Sequence, residues 1–360
     1  MITPSDPHKK TAPREPNGKP PNVFETTFEP TYSVTGVVGE GGSGRVFAVN
    51  DSAGQPFALK CLFPHLITSK KRSRFKNEIA FCVKTRHQHV IQILDFGVAH
   101  WDGTSVPFYV MPVFPMTLRS LLDKRPSPDQ ALRLFAQMLD GVEAAHMLGV
   151  NHRDLKPENM LYDPSREQLV VADFGIAHFE EELIVTAVET RDSERLANLR
   201  YSAPEQRSRG RTVDHRADIF ALGLILNELF TGEVPQGSGC IEIETIAPSY
   251  AYLDPLVERM IQQNPDQRPQ SIAEVKKLLI GHRNTFVALQ DLDAKRQMVV
   301  PANTPPQPDP ITVVDVDWQS GRLFFELNCS RWEMDSVFQK SRRKLDFLNG
   351  SWPRKLRIRR

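Results

Sequence analysis

Four cysteines are all that 360 residues contain, and Cys61, Cys82, Cys240 and Cys329 stand far apart with no CxxC pair. That spacing excludes a disulfide framework or a cysteine zinc site and points to buried thiols in a reducing compartment. Charge of one sign is missing too, since 45 Lys and Arg face 44 Asp and Glu, a formal net charge of +1. Bulk electrostatics therefore advertise neither nucleic acid nor membrane as a partner. No long apolar run is present. The most apolar stretch, Ile219 to Phe230, is too short to span a bilayer and carries Asn227 and Glu228. The N-terminus lacks the apolar core of a signal peptide. The expectation is a soluble, cytoplasmic protein of one large or two modest domains. Its 40% hydrophobic and 25% charged residues suffice for a real core.

What is present is unevenly spread. Residues 1–30 are polar and proline-rich (Pro4, Pro7, Pro13, Pro16, Pro20, Pro21, Pro30), a composition that predicts disorder. Strand patterns begin at Tyr32 and run into Gly39-Glu40-Gly41-Gly42-Ser43-Gly44, followed by Arg45 to Val49. Glycines there would let backbone N–H groups approach phosphates closely, although a plain glycine-rich hairpin fits the same residues. Because the motif opens no helix, a dinucleotide-binding turn is disfavoured. Next, Asp51–Gln55 turns the chain into Pro56–Lys60, where alternation puts Ala58 and Lys60 on one face. That pair suits a flat purine over Ala58 with Lys60 on its phosphates; a solvent-facing lysine is the plainer alternative.

A basic amphipathic helix is predicted over 69–85, with Phe75, Ile79 and Cys82 as its apolar stripe and Glu78 placed to pair with Lys60. Its cations, Lys70, Lys71, Arg72, Arg74 and Lys76, form a solvated face or a seat for a phosphorylated loop. His87 and His89 have no third ligand nearby and read as structural. Val90–Leu94 and Pro107–Pro112 are strand candidates, and a helix over Pro128–Leu148 carries its core face on Leu132, Phe135, Leu139 and Val142.

The densest chemistry follows in His152-Arg153-Asp154-Leu155-Lys156-Pro157-Glu158-Asn159. Asp154 can accept a hydroxyl proton, Lys156 can neutralise a moving phosphoryl group, and Asn159 can turn an oxygen onto magnesium. These residue types are also common in ordinary loops. A short strand at 169–172 then delivers Asp173-Phe174-Gly175, with Asp173 placed as a second magnesium ligand. Ala203-Pro204-Glu205, an apolar helix opened by Asp218, and Asp266-Gln267-Arg268-Pro269 come later.

With these motifs in this order, residues 32–282 resemble the eukaryotic-type (Hanks-type) Ser/Thr protein kinase family. The resemblance implies an α+β, two-lobed protein-kinase-like fold: a small β-rich N-lobe with one helix (about 31–113) and a larger helical C-lobe (about 114–284). It implies ATP under Gly39, Gly41, Gly44 and Val46, with Lys60 on the phosphates and paired to Glu78. Val46, Ala58 and Leu161 would sandwich adenine, Met111 would back the pocket, and Pro112 and Phe114 would bond the base. Asp154 would be the catalytic base assisted by Lys156, with Asn159 and Asp173 holding Mg2+. Ile93, Cys82, Phe174 and His152 would stack into a regulatory column. Glu205 would pair with Arg268, and Asp218 would brace the catalytic loop.

Lys156 matches the Ser/Thr branch, so protein Ser and Thr hydroxyls are the implied acceptors, with autophosphorylation included. Arg153 implies activation-loop control, with Thr186, Thr190 and Ser193 as candidate acceptors. Two positions depart from the family. Ala197-Asn198 replaces a Gly-Thr pair, which puts rate and substrate preference in doubt, and Pro112 and Pro115 flank the hinge. A nucleotide-binding scaffold without turnover and a small-molecule phosphotransferase are the competing expectations.

Beyond the kinase-like region, 285–310 reads as a proline-rich linker. Residues 311–360 read as a hairpin (Ile311–Val316 and Arg322–Leu327), a helix capped by Ser330 and Glu333, and a basic tail. Lys340, Arg342, Arg343, Lys344, Arg354, Lys355, Arg357, Arg359 and Arg360 form a solvated end or meet an acidic partner or nucleic acid.

Overall fold

A computed structural model of the chain describes residues 20–26, 31–41, 44–174, 200–208, 210–235, 239–299, 311–317 and 322–327. The chain divides into two compact units, Met1–Phe286 and Val287–Arg360.

The first unit begins with a six-stranded antiparallel sheet ordered β1-β2-β3-β4-β6-β5. Its strands are β1 (Val23–Glu25), β2 (Thr31–Gly41), β3 (Gly44–Asn50), β4 (Pro56–Leu62), β5 (Asp95–Trp101) and β6 (Thr104–Met111). Between β4 and β5 lies α1 (Ser69–Lys84), started by Thr68, whose side chain accepts from the Lys71 N–H. The expected stripe is buried, and Phe81 joins it.

Two sequence expectations fail here. Val90–Leu94 is not a strand. It crosses in extended form with one parallel bridge, Val90 to Val171, and Ile91 N donates to Val171 O at 2.9 Å. The strand is the next stretch, β5, where Gly97 lies so close to the Phe108 ring that a Cβ would come within 2.7 Å. Nor is all of 1–30 without structure, because β1 pairs with β2 and its Phe24 is fully buried. The Phe24 ring packs 5.7 Å from Phe47 and edge-on to Phe108 at 5.1 Å. Phe24→Ala should therefore cost about 3 kcal/mol in urea unfolding, the low end for a core phenylalanine because β1 is an edge strand. A loss below about 1 kcal/mol would show β1 to be ornamental.

The larger helical part holds α2 (Leu118–Leu122), α3 (Pro128–Met147), α4 (Arg216–Thr231), α5 (Ile243–Ile246), α6 (Asp254–Met260) and α7 (Ile272–Val299). Ser127 caps α3, with Pro128 at its first turn. A small sheet, β7 (Met116–Thr117), β8 (Met160–Asp163) and β9 (Gln168–Val171), lies against α3 and frames the catalytic loop. Almost every residue of α4 is buried, which makes it the central post of this lobe. Small β-rich lobe and larger helical lobe are thus as expected.

The linker expected from 285 is in part helix, since α7 continues to Val299. Gly281 alone does not stop a helix, and no proline follows until Pro301. In the second unit the hairpin forms as expected, β10 (Ile311–Asp317) against β11 (Arg322–Leu327), with a bulge between Val313 and Asp315. The helix read after Ser330 and the basic tail lie outside the described residues. No helix among the described residues is long and apolar enough to cross a membrane.

Candidate active site

The glycine hairpin is built by β2 and β3, with Gly39 opposite Val46 and Gly41 opposite Gly44. Gly44 is the position where glycine is obligatory: a Cβ there would sit 2.2 Å from the Cys61 carbonyl oxygen, a backbone atom that cannot step aside. Gly39 and Gly41 have open space beside them, which leaves their backbone approachable. Gly44→Val is expected to cost about 1–3 kcal/mol by overpacking against β4, read by thermal unfolding. An unchanged midpoint would contradict the close packing.

Register carries the next residues into place. Ala58 lies opposite Met111 and Lys60 opposite Tyr109 across the β4–β6 pair. Val46, Phe114 and Leu161 are half-buried against the core, and Ala58 and Met111 are buried. Pro112 is half-buried at the end of β6.

Lys60 reaches across the cleft. Its Nζ donates to Asp173 Oδ1 and lies 3.6 Å from Glu78 Oε1. Burial works to lower the Lys60 pKa, but the charges of Asp173 and Glu78 outweigh it and hold the ammonium above the ordinary lysine range. Burial pushes Glu78 up against the pull of Lys60. For Asp173, burial is more than offset by the charge and hydrogen bond of Lys60, with Lys156 adding to them, which leaves its carboxyl below the usual range. Sequence reasoning missed Tyr109, whose buried hydroxyl donates to Glu78 Oε1 at 3.0 Å. Its place two residues before Met111, opposite Lys60, was the available signal.

The catalytic loop hangs from α4. The Asp218 carboxylate accepts from His152 N at 2.8 Å and Arg153 N at 2.7 Å, and lies 2.8 Å from His146 Nε2. His152 is fully buried; its Nε2 meets Ala172 O at 2.9 Å, and its Nδ1 meets Asp154 N at 3.3 Å. A proton on Nε2 toward the Ala172 carbonyl, with Nδ1 accepting from the Asp154 N–H, satisfies both contacts. The loop is thereby stitched to the segment carrying Asp173. Arg153 (φ 63°) and Asp173 (φ 59°) both occupy the left-handed region, costly for a side-chain-bearing residue and tolerated because their neighbours fix them.

Asp154 is the focus. Its Oδ2 is 3.0 Å from Lys156 Nζ and 3.1 Å from Asn159 Nδ2, and Asn159 Nδ2 also donates to Asp154 O at 2.8 Å. With its amide nitrogen turned back on Asp154, Asn159 keeps its amide oxygen for a cation. Asp173 has a second carboxylate oxygen besides the one on Lys60. Two hard oxygen donors match magnesium, which takes few protein ligands and fills its sphere with phosphate and water. No cluster of three or more His, Cys, Asp or Glu able to hold a metal occurs among the described residues.

Supporting contacts arrive largely as expected. Phe174 sits 4.8 Å from the His152 ring, and Phe81, one residue from the expected Cys82, provides its other ring contact at 4.7 Å. Glu205 and Arg268 form a two-pronged buried pair at 2.6 and 2.8 Å. Gln206 also bonds Arg153 O at 2.7 Å, which ties that platform to the catalytic loop. Thr186, Thr190, Ser193, Ala197 and Asn198 lie outside the described residues.

A model of the protein kinase domain matches residues 32–280. Among curated proteins, serine/threonine-protein kinase pkn3 of Myxococcus xanthus is 32% identical over 269 residues, covering 68% of this chain and 48% of that protein. A probable serine/threonine-protein kinase PknB of Corynebacterium glutamicum is 34% identical over 209 residues, 57% of this chain and 32% of the relative. The chain thus spans about half or less of the length of these relatives. Among solved structures, a variant of the Mycobacterium tuberculosis PknI kinase domain superposes with a TM-score of 0.54 at 25% identity, covering 70% of this chain and 95% of the other. Motif order, two-lobed fold and these matches agree, and the chain belongs to the Hanks-type serine/threonine protein kinase family.

Proposed function

We propose that the chain transfers the γ-phosphoryl group of magnesium-bound ATP to serine or threonine hydroxyls of proteins. The observation that carries this reading is the convergence of Lys60 and Glu78 from the β-rich lobe with Asp173, which Lys60 meets across the cleft, and with Asp154, Lys156 and Asn159. Such a set fits a reaction in which catalysis is alignment plus electrostatics.

The roles follow from the contacts. Asp154 accepts or orients the acceptor hydroxyl proton, with its carboxylate aimed by Lys156 and Asn159. Lys60, kept charged by its two carboxylates, holds the nucleotide phosphates, and Glu78 with Tyr109 behind it sets the lysine's reach. Asn159 and Asp173 would hold magnesium, which when bound offsets charge on the phosphates. Gly39, Gly41 and Gly44 lay backbone over those phosphates, and Val46, Ala58 and Leu161 line the base site. Met111 closes its back, with Pro112 and Phe114 offering backbone groups to the base. Protein substrates with Ser or Thr acceptors are the partners this chemistry requires.

The acceptor class separates protein kinase from small-molecule phosphotransferase. Labelled ATP and magnesium should give label on a general protein substrate and none on small alcohols. Label on the alcohols with none on protein would overturn the reading. A scaffold without turnover is disfavoured because Lys60, Asp154 and Asp173 are all present and engaged.

A further inference from the structure

One side chain outside this set is tied to it from three directions. Arg119, in α2, donates through Nε to Glu158 Oε1 at 2.8 Å and through Nη1 to Glu228 Oε1 at 2.6 Å, and its Nη2 donates to the Tyr201 hydroxyl. The circuit closes because the Tyr201 hydroxyl donates to the other oxygen of Glu228. Each acceptor belongs to a different piece of the molecule. Glu158 is in the catalytic loop, between Lys156 and Asn159. Tyr201 lies at the start of the segment leading to Ala203-Pro204-Glu205, and Glu228 is buried in the central post α4.

A guanidinium is the only side chain with donors spread widely enough to serve three such acceptors in one plane. The two carboxylates press its pKa above the ordinary arginine range despite partial burial, so the charge is permanent. Tyr201 and Asp154 line the same small hollow, together with Leu155 and Gln206. The fork therefore fixes the catalytic loop relative to the face on which an acceptor must lie, and it touches no nucleotide-side residue named above.

We infer that Arg119 is a positioning residue for the acceptor side of the reaction, acting through Glu158 and Tyr201, a role that rests on the protein kinase reading. Lysine cannot replace it, because one ammonium cannot span all three acceptors.

The test compares the native chain with Arg119→Ala, Arg119→Lys and Glu158→Gln, each assayed for KM toward a protein substrate, KM toward ATP, and kcat. Glu158 is 45% exposed on its side chain, so its variant is expected to fold even if Arg119→Ala does not. The expected result is an acceptor kcat/KM lowered on the order of tenfold in both Arg119 variants, several-fold in Glu158→Gln, with KM for ATP unchanged. Arg119→Ala combined with Glu158→Gln should cost less than the product of the two, since both break one contact. Hydrogen exchange gives a readout independent of turnover. The amides of Asn159 and Gln206, bonded to Lys156 O at 2.9 Å and Ala203 O at 3.0 Å, should lose protection in Arg119→Ala while β3 and β4 keep theirs. Native acceptor kinetics in Arg119→Lys, equal rises in both KM values, or unchanged exchange at those amides would each overturn the inference. Failure of the native chain to transfer phosphate would overturn the functional reading instead, and the exchange result would still judge Arg119.

Discussion

Asp154→Asn should leave the chain folded and able to bind ATP while lowering phosphoryl transfer by about 10²–10⁴-fold, the usual contribution of a positioned base. The substitution is nearly isosteric and keeps an oxygen facing Lys156. It removes the negative charge that receives or orients the hydroxyl proton. The retained oxygen takes the place of Asp154 Oδ2, which Lys156 Nζ and Asn159 Nδ2 share at 3.0 and 3.1 Å, so both contacts survive and the loss isolates the charge. The nucleotide contacts proposed above run through Lys60, Asp173 and the glycine hairpin, and Lys60 and Asp173 pair with each other and not with Asp154. Single-turnover transfer and an ATP binding titration measured side by side separate the two effects. A rate within tenfold of native would remove Asp154 from the chemistry. A matching loss of ATP affinity would mean that the loop had moved.

The second large effect is on stability. Arg268→Leu leaves Glu205, only 3% exposed, as a buried carboxylate without its guanidinium. Breaking one half of such a pair costs about 3–5 kcal/mol, because the desolvation of the remaining charge is no longer offset. Arg268 further donates to Gln262 O at 2.7 Å and Arg216 O at 3.0 Å, and stacks 4.8 Å from the Phe220 ring, so it also holds the base of α4. In Arg268→Leu with Glu205→Leu the stranded charge is gone, and part of the loss should return. Recovery stays incomplete, since those carbonyls keep no donor. Urea unfolding of both singles and the double measures this directly. A single-variant loss below about 1 kcal/mol, or a double no better than Arg268→Leu, would contradict it.

The candidate site was legible because phosphoryl-transfer chemistry would demand particular residue types at fixed offsets. Asp154, Lys156 and Asn159 lie within six residues of one another, and the Lys60 and Glu78 elements were readable from period alone. What remained hidden depends on contacts distant in sequence. Arg119 meets Glu228 across 109 positions and Tyr201 across 82, and no local pattern announces either. Tyr109 was visible as a strand residue, but its bond to Glu78 is a consequence of the β4–β6 register. Elements were misplaced where apolar content misled. Val90–Leu94 is the more hydrophobic stretch, yet backbone pairing goes to Asp95–Trp101, where Gly97 permits the close approach to Phe108. In β1, proline-rich surroundings concealed a three-residue strand whose single phenylalanine fills a gap between two rings.

The central claim is phosphoryl transfer to protein hydroxyls, and label transfer from the γ-position of ATP tests it most directly. The native chain and Asp154→Ala are incubated with magnesium and a protein substrate, and the modified residues are mapped by mass spectrometry. The account predicts phosphate on serine or threonine that disappears in the variant. Measurable ATP binding with no phosphate on any protein residue would contradict it.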